Sequence, residues 1–131
     1  DAGELLEWQP QPVVLGRRAI PAEAKLRSHP RALQQFDGSD LNSALATLFE
    51  QGIRRVFVEG GPTIASAFIA PGLADELLIY LAPKLLGGPK VALNELGVST
   101  IAEAKELSIT EFRPLGNDVL VVARPVTMTG D

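Results

Sequence analysis

Glu59-Gly60-Gly61-Pro62-Thr63 gathers, within five residues, the types in this sequence whose order could do chemistry. A carboxylate closes an apolar run, two glycines follow, and a proline and a hydroxyl open what comes next. Ligands of open α/β sheets bind outside the carboxyl ends of the strands. Glycines let a phosphate approach the main chain, and the amides and dipole of a helix N-terminus favour the anion, with Thr63 adding a hydroxyl. The same residues also fit a tight strand-to-helix turn with Glu59 as a solvated rim residue, and spacing alone leaves both readings open. No G-x-G-x-x-G occurs, so the standard dinucleotide fingerprint is absent. Gly87-Gly88-Pro89-Lys90 lacks the spacing of a P-loop and the Ser or Thr that should follow its lysine.

The residue types that are missing narrow the chemistry further. With no Cys there is no disulfide, thiolate nucleophile, iron–sulfur cluster or Cys-based zinc site. One histidine, His29, excludes a multi-histidine metal centre, and its polar, proline-flanked surroundings predict a solvated loop residue. No metal site is expected. The formal charge of −4, from 12 Lys and Arg against 16 Asp and Glu, argues against nucleic acid and anionic membrane as partners. A content of 46% hydrophobic and 21% charged residues, with mean hydropathy +0.15, suits a folded, soluble chain. The longest apolar run, 77–82, is far short of the roughly 20 residues that span a bilayer. Residues 1–7 are acidic where a signal peptide is basic, so a cytoplasmic location is expected.

A length of 131 residues suits one domain or a piece of one, and no repeat or long linker divides it. Pro12-Val13-Val14-Leu15, closed by Gly16, reads as a strand, and 32–36 as a second. Asp37-Gly38-Ser39-Asp40 then supplies turn and cap residues for Leu41, Ala44, Leu45, Leu48 and Phe49, the spacing of an amphipathic helix that ends at Gly52. Residues 54–59 lack alternation, as expected of a strand covered on both faces. Pro62 suits the first turn of a second helix with Ile64, Ala67 and Phe68 inside, stopped by Pro71-Gly72. Residues 77–82 form another apolar strand, and the alternation of helix and strand predicts parallel pairing. Residues 83–104 show no strand pattern, and loops of that length tend to be functional. Residues 107–115 and 119–124 flank Gly116-Asn117 as an antiparallel hairpin.

In order and spacing, Val58-Glu59-Gly60-Gly61-Pro62-Thr63, Asp75-Glu76-Leu77 and Ala82-Pro83-Lys84-Leu85-Leu86-Gly87-Gly88 resemble the C-terminal reductase domain of the bacterial bifunctional riboflavin biosynthesis protein. Gly116-Asn117-Asp118-Val119 ahead of a strand is similar to the same family, and the resemblance covers about 13–125. It implies an α/β, dihydrofolate-reductase-like fold: a mostly parallel central sheet flanked by helices, with a C-terminal antiparallel hairpin. It also implies that NADPH is used to reduce the ribosyl group of 5-amino-6-(5-phosphoribosylamino)uracil to the ribityl group. Carried over by position, Gly60 and Gly61 resemble the pair whose backbone lies against the cofactor, Thr63 assists, and Glu59 faces the phosphoribosylaminopyrimidine substrate. One of Arg17 and Arg18 is the candidate for the 2′-phosphate that separates NADPH from NADH, the other reading being a solvated basic turn. Lys84 orders the loop or meets a ligand phosphate, unless it is a solvated loop lysine. Asp75, Glu76 and Tyr80 are read as structural, with the ring partly buried. No side chain is assigned a catalytic role, because hydride transfer needs positioning more than an activated nucleophile. The family assembles, so a homodimer using the edge hairpin is expected.

One departure stands out. The family's domain begins with a strand carrying a Ser-x-Asp-Gly-like segment, and nothing in residues 1–12 matches it. The chain is therefore read as a single, incomplete pyrimidine reductase domain over 1–131, with no trace of the zinc deaminase domain that often precedes it. Two functions compete: the NADPH-dependent reductase, and a noncatalytic nucleotide-binding or dimerisation fragment of the same fold.

Overall fold

The computed structural model describes residues 8–126, so the acidic stretch 1–7 lies outside the described residues. The chain divides into two units, Asp1–Val56 and Phe57–Asp131.

In the first unit the apolar run forms β1 (Val13–Leu15), which pairs in parallel with β2 (Gln34–Phe36), Val14 opposite Gln35. Strands this short need support beyond their ladder. Gln35 supplies it by donating from Nε2 to the carbonyls of Gly16 at 2.7 Å and Arg18 at 2.9 Å. The connection contains a 3-10 turn (Lys25–Ser28), where the Arg27 guanidinium donates to the Ile20 and Pro21 carbonyls. His29 ends that turn, half-buried, its Nδ1 accepting the Arg31 N–H at 3.1 Å.

The spacing of apolar residues gives α1 (Leu41–Glu50), and Asp40 caps it by accepting the Ser43 N–H at 3.0 Å. Gly52, at φ +86°, donates to the Phe49 carbonyl while Ile53 donates to that of Leu48, the two-bond closure that ends helices on a left-handed glycine. Ala44 and Leu48 are buried, whereas Phe49 is exposed and carries the Arg54 guanidinium 4.0 Å above its ring. A cation there also meets the negative end of the helix, since Arg54 donates to the Phe49 carbonyl at 2.6 Å.

The expected strand at 54–59 is not formed: among the described residues it has no ladder partner, and Val56, Phe57 and Val58 are exposed. An apolar run states a tendency to be buried, while a strand exists only where a neighbour takes its main-chain hydrogen bonds.

The second unit opens with α2 (Pro62–Ile69), Pro62 at its first position, and the closure seen after α1 recurs at Gly72 and Leu73. Phe68 and Ser66 are the buried positions, and Ala67 is exposed, contrary to its expected place in the stripe. Ser66 is on the inside because the long loop returns to cover it. β3 (Leu77–Leu81), β4 (Leu107–Leu115) and β5 (Asp118–Pro125) form a sheet in the order β3-β5-β4. Both pairings are antiparallel, so β3 meets β5 rather than a parallel neighbour, and parallel pairing among the described residues is that of β1 with β2. As an outer strand β3 leaves Leu78, Tyr80 and Leu81 exposed, so the Tyr80 ring is more open than expected.

β4 and β5 are joined by Gly116-Asn117, with Leu115 opposite Asp118 and only the glycine at positive φ, the pattern of a type II′ hairpin. Leu120, Val121, Val122 and Ala123 of the central strand β5 are the buried sheet residues. A bulge at Thr110 resets β4, so that Ile109 opposes Ala123 and Phe112 opposes Val121. Directly opposed residues share a face, so the bulge brings Ile109 and Phe112, an odd number of positions apart, onto the side that carries Ile79, Val121 and Ala123. The other face carries the ion pairs Arg124–Glu76, at 3.1 Å, and Arg113–Glu111.

Candidate functional site

Gly61 is the N-cap of α2 at φ −78°, ψ −177°, and its carbonyl accepts the Ala65 N–H at 3.2 Å. Pro62 has no N–H, so the amides of the first turn without an intrahelical carbonyl are those of Thr63 and Ile64. No side chain caps them, in contrast with α1 and its Asp40. The two glycines have different reasons to be glycine. A Cβ on Gly60 would lie 3.1 Å from the Ile64 Cβ, a tight contact that Ile64 would have to yield to by a few tenths of an ångström. A Cβ on Gly61 would meet no atom within 4 Å, and its backbone is extended, so neither packing nor conformation demands glycine there. What Gly61 leaves is open space beside uncapped amides.

Glu59 is exposed and takes part in no ion pair among the described residues. It follows the unpaired segment rather than the end of a buried strand, so the turn that opens α2 fixes its place. Thr63 is exposed and its Oγ1 accepts from Asn94 Nδ2 at 3.1 Å. Sequence reasoning missed Asn94. The expected importance of its long loop was the available signal, and nothing in the residue's neighbours marked it. The loop 83–104 contains one 3-10 turn (Ile101–Glu103) and an open groove of about 820 Å³ whose lining includes Val91, Leu93, Asn94 and Leu96. Lys84 is exposed within it, beside Leu85 and Leu86, which are also fully open.

Arg17 and Arg18 belong to the first unit, in the turn after β1. Arg17 lies 4.0 Å from Asp37, an exposed pair of small energetic weight. The Arg18 side chain has no ion pair or hydrogen bond among the described residues, so its guanidinium is the free one. Asp37 accepts from the Ser39 hydroxyl at 2.6 Å and the Ser39 N–H at 2.7 Å, and these bonds, with a smaller contribution from Arg17, hold its carboxyl below the usual value of 3.8. The structure thus assembles Glu59, Gly60, Gly61 and Thr63 at one turn, places Lys84 in the loop of the same unit, and puts the arginines in the other.

Comparison with known proteins gives a consistent result. The family model described as RibD C-terminal domain matches residues 4–121. The riboflavin biosynthesis protein RibD of Mycobacterium tuberculosis is 35% identical over 119 residues, which is 91% of this chain and 34% of that protein. The 2,5-diamino-6-ribosylamino-4(3H)-pyrimidinone 5′-phosphate reductase of Methanothermobacter thermautotrophicus is 30% identical over 84% of this chain and 54% of its own length. Among solved structures, Acinetobacter baumannii RibD, form 1, matches with a TM-score of 0.81 at 26% identity, covering 90% of this chain and 38% of that one. The chain therefore spans about a third of the Mycobacterium tuberculosis relative and about half of the Methanothermobacter one.

Proposed function

Since the chain belongs to the RibD C-terminal domain family, with a dihydrofolate-reductase-like α/β fold, we propose that it carries out the pyrimidine-reductase step of riboflavin biosynthesis. The reaction is reduction of the ribosyl group of 5-amino-6-(5-phosphoribosylamino)uracil to the ribityl group, with NADPH as the reductant. The observation that carries the proposal is the family match, which includes the Glu59 to Thr63 turn and the loop after β3. The residues at the head of α2 fit the anionic part of a dinucleotide, because Gly61 leaves open space beside uncapped amides. When bound, NADPH supplies the hydride.

This chain's own residues bind and orient. The main chain of Gly60 and Gly61, the amides of Thr63 and Ile64 and the Thr63 hydroxyl receive the anionic part of the cofactor. Arg18, which has no side-chain partner among the described residues while Arg17 faces Asp37, recognises the 2′-phosphate through its planar fork. Glu59 faces the substrate, and Lys84 serves the ligand loop. The protein is a homodimer. Support comes from the sheet: among the described residues β4 is paired on one side, and its Ile109 and Phe112, each 65% exposed, extend an apolar face that a second copy would cover. We place the activity in the cytoplasm, where charge retains a phosphorylated substrate and a nicotinamide nucleotide.

Incubation of the chain with NADPH and the phosphoribosylaminopyrimidine, followed by loss of NADPH absorbance and chromatography of the product, tests the reading. The ribityl product is expected. NADPH binding without turnover points to the noncatalytic alternative, and absence of both binding and turnover overturns the proposal.

A further inference from the structure

Residue 94 joins the long loop to α2 in two chemically distinct ways. Its main-chain N–H donates to the buried Ser66 Oγ at 2.8 Å, and the Ser66 hydroxyl donates back to its carbonyl at 3.4 Å. That exchange uses no atom of the asparagine side chain, so any residue with a main-chain N–H could be held at this point. The side-chain amide makes a separate bond, from Nδ2 to Thr63 Oγ1 at 3.1 Å. A threonine hydroxyl has one proton to give, and an Oγ1 that accepts an amide N–H keeps that proton for another acceptor.

We propose that Asn94 is a positioning residue that holds Thr63 as a hydrogen-bond donor for a phosphate oxygen at the head of α2, and couples that setting to the seating of the loop 83–104 on the helix. The inference deepens the reading that the cofactor's anionic part lies beside Gly60-Gly61. Two features of the structure carry it. The loop is fixed at residue 94 without the side chain, so the amide is free for a second role, and the atom it meets belongs to the first turn of a helix that lacks a side-chain cap.

A double-mutant cycle on the full chain tests this, with NADPH affinity read by fluorescence titration. Thr63→Val, which removes the hydroxyl, is expected to weaken binding about tenfold, the loss typical of one hydrogen bond to a charged group. Asn94→Asp replaces the donor by an acceptor that takes the Thr63 proton, and is expected to weaken binding to a similar degree. Combined with Thr63→Val it should cost little more, because the hydroxyl it acts through is gone. Asn94→Ala is expected to have a smaller effect that persists in Thr63→Ser and vanishes in Thr63→Val. Amide exchange at residue 94 should stay slow in these variants, since the Ser66 exchange is main-chain.

Additive losses in Asn94→Asp with Thr63→Val would mean that the new charge, not the hydroxyl, weakens binding, and would overturn the inference while leaving the cofactor reading intact. Unchanged affinity in Asn94→Asp would do the same. Failure of the unmodified chain to bind NADPH would overturn the cofactor reading and the role of Asn94 together.

Discussion

At the scale of single residues, Gly61 gives the sharpest separation of folding from binding. Its extended backbone suits any residue, and the freedom that alanine removes from the unfolded chain is offset by its being a poorer N-cap than glycine, so Gly61→Ala is expected to change stability by less than about 1 kcal/mol. The added methyl occupies the space through which a phosphate would approach, so NADPH binding should fall about tenfold, or by about 1.4 kcal/mol. Denaturation and titration of the same sample read both, and unchanged affinity would remove Gly61 from the site. The arginines separate in the same manner: Arg18→Ala should erase the preference for NADPH over NADH, whereas Arg17→Ala, which removes a weak exposed pair, should leave most of it. Parallel titrations with the two cofactors decide. Asp37 adds a prediction about pH. Its folded-state pKa is lowered, so its contribution to stability is present above 3.8 and is lost as pH falls through the lower folded value. Ser39→Ala should move the Asp37 titration, followed by carbon-detected NMR, up toward 3.8 and flatten that acid-side loss.

At the scale of elements, the helices were legible because their signals are local. Asp40 before an amphipathic run and Gly52 after it are instructions that the chain can obey without a distant partner. Gly52 sits at φ +86°, so Gly52→Ala is expected to cost about 1–2 kcal/mol, the penalty of a left-handed L-residue. Urea denaturation measures it, and the larger loss expected at Gly52 than at Gly61 follows from the positive φ of the first and the extended backbone of the second. The hairpin was equally legible, since Gly116-Asn117 between two runs specifies a two-residue turn. The segment 54–59 was not, because a run of apolar residues does not say which strand will pair with it. Likewise 77–82 gave the strand but not the direction of its neighbour.

For the whole molecule the decisive feature is the sheet face made by the Thr110 bulge. Without that extra residue Ile109 and Phe112 would point to opposite sides; with it they extend the apolar side of a sheet whose other side carries ion pairs. Phe112→Lys places a charge in the middle of the surface assigned to a second copy. Sedimentation at micromolar concentration is expected to show a dimer for the unmodified chain and a monomer for the variant, with secondary structure unchanged by circular dichroism. A monomer in both would remove the dimer from the proposal.

The sequence by itself determined the turn Glu59 to Thr63, the helix that follows it, the hairpin and, through ordered motifs, the family, because each is written in residues close along the chain. Tertiary structure alone decided that a side chain at Gly60 would crowd Ile64 and one at Gly61 would not, that Arg17 faces Asp37 while Arg18 has no side-chain partner among the described residues, and that Asn94 reaches Thr63 across the loop. Those facts depend on which atoms meet after the chain has turned back on itself. A hydrogen bond between residues 31 positions apart leaves no period or spacing in the sequence to be read.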